Sequence, residues 1–130
     1  MAVKKSETLR VLQLGVRTGS PDDHADHIVA QMVNRLSHQK TDVRLSAISI
    51  LRRVSRKGDE SVSLRLCKCM SQDASTFVRS AASEALKHIA EKGNANIVTA
   101  LLGHLQHRDA RVRMHALGVL PVALSTLICT

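Results

Sequence analysis

Apolar positions along the chain fall into two alternating kinds of helical stripe. The first reads Val43, Ala47, Ile50, Leu51 and Val54, the spacing i, i+4, i+7, i+8, i+11 that lines one face of an α-helix. It returns as Val78, Ala82, Ala85, Leu86 and Ile89, and again as Val112, Ala116, Val119, Leu120 and Ala123, at offsets of 35 and then 34 residues. Each copy places an Arg directly after its first apolar residue (Arg44, Arg79, Arg113) and an Ala at its second position. Alanine costs no helix propensity and lets a neighbouring helix backbone come close. These helices are designated A.

Between them runs a second stripe, B, read as Ile28, Met32 and Leu36, then Val62, Leu66 and Met70, then Ile97, Leu101 and Leu105. Lys57-Gly58-Asp59 and Lys92-Gly93-Asn94 separate an A helix from the B helix that follows. Glycine just past a helix end and Asp or Asn at the next helix start are stop and cap signals. A unit of 34 or 35 residues cannot bury a core by itself and does so by stacking. The chain is therefore predicted to be all-α, one domain forming an α-solenoid of about three and a half stacked antiparallel helix pairs. A helices line one surface and B helices the other. Pairing each A helix with the B helix after it gives hairpins over about 4–37, 42–70 and 76–106 and an incomplete unit over 109–130.

The ends break the pattern. Leu9, Leu12 and Val16 predict an irregular A helix from about Lys4 to Arg17, closed by Thr18-Gly19-Ser20-Pro21, with Ser20 capping the next helix. Near the other end Pro121 removes the bond to the Leu117 carbonyl, so the last A helix is expected to kink or stop there. Val122 to Cys129 is almost wholly apolar, whereas solenoid ends normally carry a polar face. This predicts a docking surface for a second copy, another subunit or further residues.

Asp73, Val78-Arg79, Ala82 and Leu86, with their counterparts, resemble the HEAT repeat in its short HEAT-like form. The resemblance implies a right-handed superhelical stack. It also implies that the Asp six residues before the Arg, and the Arg itself, tie neighbouring units by side-chain hydrogen bonds, giving Arg44, Asp73, Arg79 and Arg113 an inter-repeat structural role. Two copies depart from the pattern: His38 and His107 stand where Asp73 does, with acids displaced to Asp42 and Asp109. Tetratricopeptide and ankyrin units are set aside, since there is no Trp, Tyr or Thr-Pro-Leu-His turn.

The chemistry on offer is sparse. His24 and His27 lie three apart on a helix and could share an ion, but no further ligand cluster accompanies them. Di-iron hydroxylases with HEAT-like repeats present His-Glu dipeptides; here His88 and His115 are followed by Ile and Ala. Cys67 and Cys69 point to different sides of a B helix, and three cysteines make no disulfide framework, so reduced thiols and an intracellular setting are favoured. No catalytic residue, metal, cofactor or transmembrane segment is expected.

Charge is the remaining signal. Residues 1–57 hold 11 Lys and Arg against 5 acids, so most of the net charge of +8 lies there, densest at Arg52, Arg53, Arg56 and Lys57. These four are expected on the face of helix A opposite its stripe. They read as a patch for an acidic partner or phosphate backbone, or as cations at a helix C-terminus. Arg52-Arg53-Val54-Ser55 also resembles a basophilic kinase site. The function these features point to is a non-catalytic scaffold or adaptor that binds another protein along its B surface or at its ends. A basic module holding nucleic acid by its backbone is the first alternative, binding bases poorly because one Phe is the only aromatic residue. An accessory subunit of a lyase-type enzyme is the second, since such subunits share these short repeats.

Overall fold

The computed structural model describes residues 21–90 and 95–128, which form six helices and no strand. They are α1 (Pro21–Arg35), α2 (Thr41–Val54), α3 (Glu60–Gln72), α4 (Thr76–Ile89), α5 (Ala95–His104) and α6 (Ala110–Ile128). The A helices are α2, α4 and α6; the B helices are α1, α3 and α5. The helix expected over Lys4–Arg17, the Ser20 cap and the Lys92-Gly93-Asn94 turn lie outside the described residues.

Side chains set several boundaries. Asp59 accepts the Val62 amide at 3.0 Å and starts α3, and Ser75 accepts the amides of Phe77 and Val78 at 3.1 and 3.3 Å and starts α4. Gly58 stops the preceding chain with φ of 83°, a conformation glycine adopts without steric cost. Its amide also donates to the Ile89 carbonyl at 2.7 Å, so the loop after α2 satisfies the last turn of α4.

The pairing of helices differs from the sequence expectation. The most extensive packing is between α3 and α4, and α1 packs on α2 and α5 on α6 in the same way, whereas α2 and α3 barely touch. Each hairpin is thus a B helix followed by an A helix, and the units over 42–70 and 76–106 are out of phase by one helix. The alternation A, B, A, B is compatible with either pairing. What decides is the connection: residues 73–75 fold α4 straight back onto α3, while residues 55–59 carry the chain across to the next unit. Helix α6 consequently completes the third pair with α5, so the incomplete unit over 109–130 is a correction as well.

Pairs stack so that α2, α4 and α6 form one layer and α3 and α5 adjoin in the other. One core runs through the stack. In α4 every stripe residue is buried, and in α6 Val112, Ala116, Val119, Leu120 and Ala123 are too. Ala47, Ala82 and Ala116 are at most 1% exposed, the close approach their small size permits. Pro121 does not end α6, which continues to Ile128. Its ring faces solvent, while Leu120 and Ala123 beside it are held in the core.

Candidate functional site

The repeated Arg and the residue six before it build one device three times. Arg44 Nη1 donates to the His38 carbonyl at 2.8 Å, Arg79 Nη1 to the Asp73 carbonyl at 2.5 Å, and Arg113 Nη1 to the His107 carbonyl at 2.7 Å. Each guanidinium therefore cinches the turn inside its own hairpin. The residue at the −6 position has a second task. Asp73 Oδ1 accepts the Ser75 amide at 2.9 Å, and His38 Nδ1 and His107 Nδ1 accept the amides of Lys40 and Asp109, each at 3.0 Å. An imidazole acceptor thus takes over the turn bond of the carboxylate. That fixes the tautomer, because Nδ1 must be unprotonated to accept.

What imidazole does not replace is the link between units. Arg44 reaches forward to Asp73 of the next hairpin through Nε at 2.9 Å and Nη2 at 3.1 Å, a bidentate pair whose side chains are 13% and 7% exposed. For Arg79 the residue at the matching position of the next turn is His107, and the Arg79 Nε is buried without an acceptor. The displaced acid does not fill the gap: Asp109 Oδ1 accepts the Arg111 amide at 2.8 Å. That bond first, and the Arg79 charge after it, hold the Asp109 carboxyl below the usual carboxylate range. His107→Asp keeps the turn acceptor and offers Arg79 a carboxylate, so it should stabilise by about 1 kcal/mol. For a chain of this size the melting temperature should rise by about 4 °C, and a fall would refute the account.

The B layer is tied differently. Arg65 Nη2 on α3 reaches Ser37 Oγ, two residues past the end of α1, at 3.2 Å. Asn96 donates to Glu60 at 2.8 Å, and His104 places Nε2 3.2 Å from the Cys67 carbonyl, both across α3 and α5. Between α1 and α3 opens a groove of about 390 Å³ lined by Val29, Val33 and Val62 together with Asp26, Asn34 and Asp59.

Of the basic cluster, Arg52 and Arg53 are exposed in the last turn of α2. Arg56 and Lys57 are exposed too, but not on the helix: α2 ends at Val54, the extended backbone of Ser55 leads the chain away, and these two lie in the loop. Arg56 sits 3.6 Å from Asp26, and with both side chains some 60% exposed the pair contributes little. Lys87 and His88 occupy the positions of Arg52 and Arg53 in the next A helix, so cations collect along one edge of the A layer. The Ser55 hydroxyl is buried, which keeps it from a kinase in the folded chain.

Among the described residues no group of three or more His, Cys, Asp or Glu could hold a metal. Cys67 and Cys69 are both buried free thiols. Burial pushes the Cys67 thiol up to about 12, and Cys69 upward as well, by burial first and then the Asp73 charge. A thiol whose folded value is raised favours the folded state fully below the unfolded value and loses that contribution as pH rises towards the folded one. Stability should therefore fall between about pH 9 and 12, an alkaline loss that Cys67→Ala should blunt in denaturant titrations. Iodoacetamide at pH 8 should leave both residues unlabelled until denaturant opens the fold.

Comparison with known proteins gives this geometry a family. Residues 64–93 match the family model of the HEAT repeat, a span that begins within α3 and ends just past α4. That span is a HEAT repeat. The matched span takes in a B helix, the Asp73 turn and an A helix, the same pairing that the packing shows. No curated protein sequence matches the chain. HEAT repeats are typically non-catalytic and generally act as protein-interaction scaffolds. No described helix of the chain is long and apolar enough to cross a membrane.

Proposed function

We propose that this chain is a non-catalytic scaffold that holds a segment of another protein along its B layer. The observation that carries the reading is the groove between α1 and α3. It is of ligand-pocket size and lined by three valines together with Asp26 and Asp59, on a chain of net charge +8. An apolar side chain can enter between Val29, Val33 and Val62, while a donor group on the same segment meets the carboxylates. Asp59 already accepts the Val62 amide through one oxygen, and Asp26 stands 3.6 Å from Arg56 in an exposed pair that an incoming donor can displace.

A second reading, attachment to a nucleic acid backbone, is favoured by the cationic edge at Arg52, Arg53, Arg56, Lys57 and Lys87. One experiment separates the two. A photo-crosslinking residue at the exposed Ala30 should capture a protein from cell extract, and Ala30→Arg competitor should fail to block that capture where unmodified chain blocks it. In parallel, labelled duplex DNA and RNA are titrated at low and physiological salt beside an Arg52→Ala, Arg53→Ala, Arg56→Ala variant. Salt-steep binding lost in that variant, with no protein captured at position 30, would replace the scaffold reading by the nucleic-acid one.

A further inference from the structure

The seam between α1 and α3 is open where its counterpart one unit on is closed. Val29 and Val33 on α1 stand at the positions that Ser63 and Cys67 hold on α3, 34 residues later. Ser63 and Cys67 are 1% and 2% exposed, and α5 packs onto their helix through the Asn96–Glu60 and His104–Cys67 contacts. Val29 and Val33 are only half-buried, and α1 and α3 barely touch. Both walls of this opening belong to consecutive described hairpins, so it lies between two units of the stack and not at an end of it.

The charge along the groove has one sign. Asp26 and Asp59 line it, and no Lys or Arg does among the described residues, although the chain as a whole carries +8. The chain itself shows what this anionic lining attracts: Arg56 places Nη2 3.6 Å from Asp26 Oδ1, with both side chains some 60% exposed. A carboxylate binds a charged donor more strongly than a neutral one. A Lys or Arg also brings an aliphatic stem that packs on apolar surface such as these valines.

From these observations, and resting on the scaffold reading, we infer that the segment held between α1 and α3 is basic. It packs a Leu, Ile or Met side chain on Val29 and Val33, and a neighbouring Lys or Arg takes Asp26 in place of Arg56. Arg56 is then an internal competitor, and segments without a cation are selected against because they cannot replace it. The sign of its effect separates this site from the cationic edge of the A layer. Loss of Arg56 strengthens binding in the groove, whereas it weakens attachment to a phosphate backbone.

The test pans a phage-displayed library of random octapeptides on the full chain and discards phage that also bind Ala30→Arg. Groove-dependent peptides should carry Leu, Ile or Met within two residues of a Lys or Arg. The strongest is then synthesised with a fluorophore and titrated. Asp26→Lys should weaken its binding about tenfold, as should Gln in place of the peptide's cation, and Arg56→Gln should tighten it about threefold. Melting curves must show each variant folded, which the exposure of positions 26, 30 and 56 allows. Groove-dependent peptides without a basic residue, or equal binding by Asp26→Lys, overturn the inference and leave the scaffold reading standing. No groove-dependent peptide at all overturns both. A photo-crosslinking residue at position 30, irradiated in the chain alone, supplies the remaining check. Capture of residues 1–20 of the same chain, or of a second copy, overturns the inference, because the groove is then filled by the chain itself.

Discussion

Asp73→Ala should be the most damaging polar substitution in the chain, removing about 3–5 kcal/mol. The carboxylate is 7% exposed and receives three hydrogen bonds: two from Arg44 in the preceding hairpin and one from the Ser75 amide in its own turn. Truncation leaves Arg44 Nε facing a buried void without an acceptor and Nη2 with only the long bond to Thr41 Oγ1 at 3.4 Å, and that penalty exceeds what the pair gained by forming. The turn bond is lost as well, although Ser75 Oγ still caps α4 through Phe77 and Val78. A domain of ordinary stability has about 5–15 kcal/mol to lose, so the variant should sit near the edge of unfolding at 37 °C. Urea titration should show a lower midpoint with an unchanged slope. Asp73→Asn should recover part of the loss, since its carbonyl oxygen can still accept the Ser75 amide. In a double-mutant cycle with Arg44→Ala the two effects should be strongly non-additive. Strict additivity would mean that the bridge between hairpins carries no energy of its own.

That bridge shows where sequence reasoning stops. The period of 34 to 35 residues brought out Arg44, Arg79 and Arg113 and their −6 partners, because spacing alone reveals what recurs. Spacing does not say which carboxylate a long side chain reaches. Arg79 donates to the carbonyl of Asp73 in its own turn, while the Asp73 carboxylate serves Arg44 one unit back. Nor does the residue type at 38 or 107 announce that an imidazole nitrogen replaces a carboxylate oxygen as turn acceptor; only the matching geometry does.

The stripes were legible for a different reason: a helix face that meets its hairpin partner must be apolar at fixed spacing. Val62, Leu66 and Met70 are all buried, and so are Val78, Ala82, Ala85, Leu86 and Ile89. Ile48 and Ser83 escaped because an inner solenoid helix buries a second flank, against the next unit, and a single stripe does not mark it. The pairing of helices escaped because a repeat has a length but no origin. The short turn at residues 73–75, cinched by Arg79, supplies that origin, and it marks the B helix as the first of each pair.

A stack of this kind should also answer differently to the same cavity cut at its centre and at its end. Leu86 is fully buried on α4, which packs against α2, α3 and α6. Leu86→Ala should therefore cost about 4 kcal/mol, from the lost transfer free energy plus a cavity that helices on three sides cannot close. Leu120 holds the equivalent position on α6, is 6% exposed, and lies in a unit with a described neighbour on one side only. Relaxation there is easier, and Leu120→Ala should cost about 2 kcal/mol. The consequences should spread differently too, because stability in a linear array depends on each unit and on the interfaces to its neighbours. Hydrogen exchange in Leu86→Ala should accelerate in α3 and α4 and in both flanking pairs, since two interfaces weaken together. In Leu120→Ala it should accelerate in α5 and α6 while α1 and α2 keep their protection. Equal costs, with acceleration across all six helices in both variants, would describe a single cooperative globule rather than a chain of coupled hairpins.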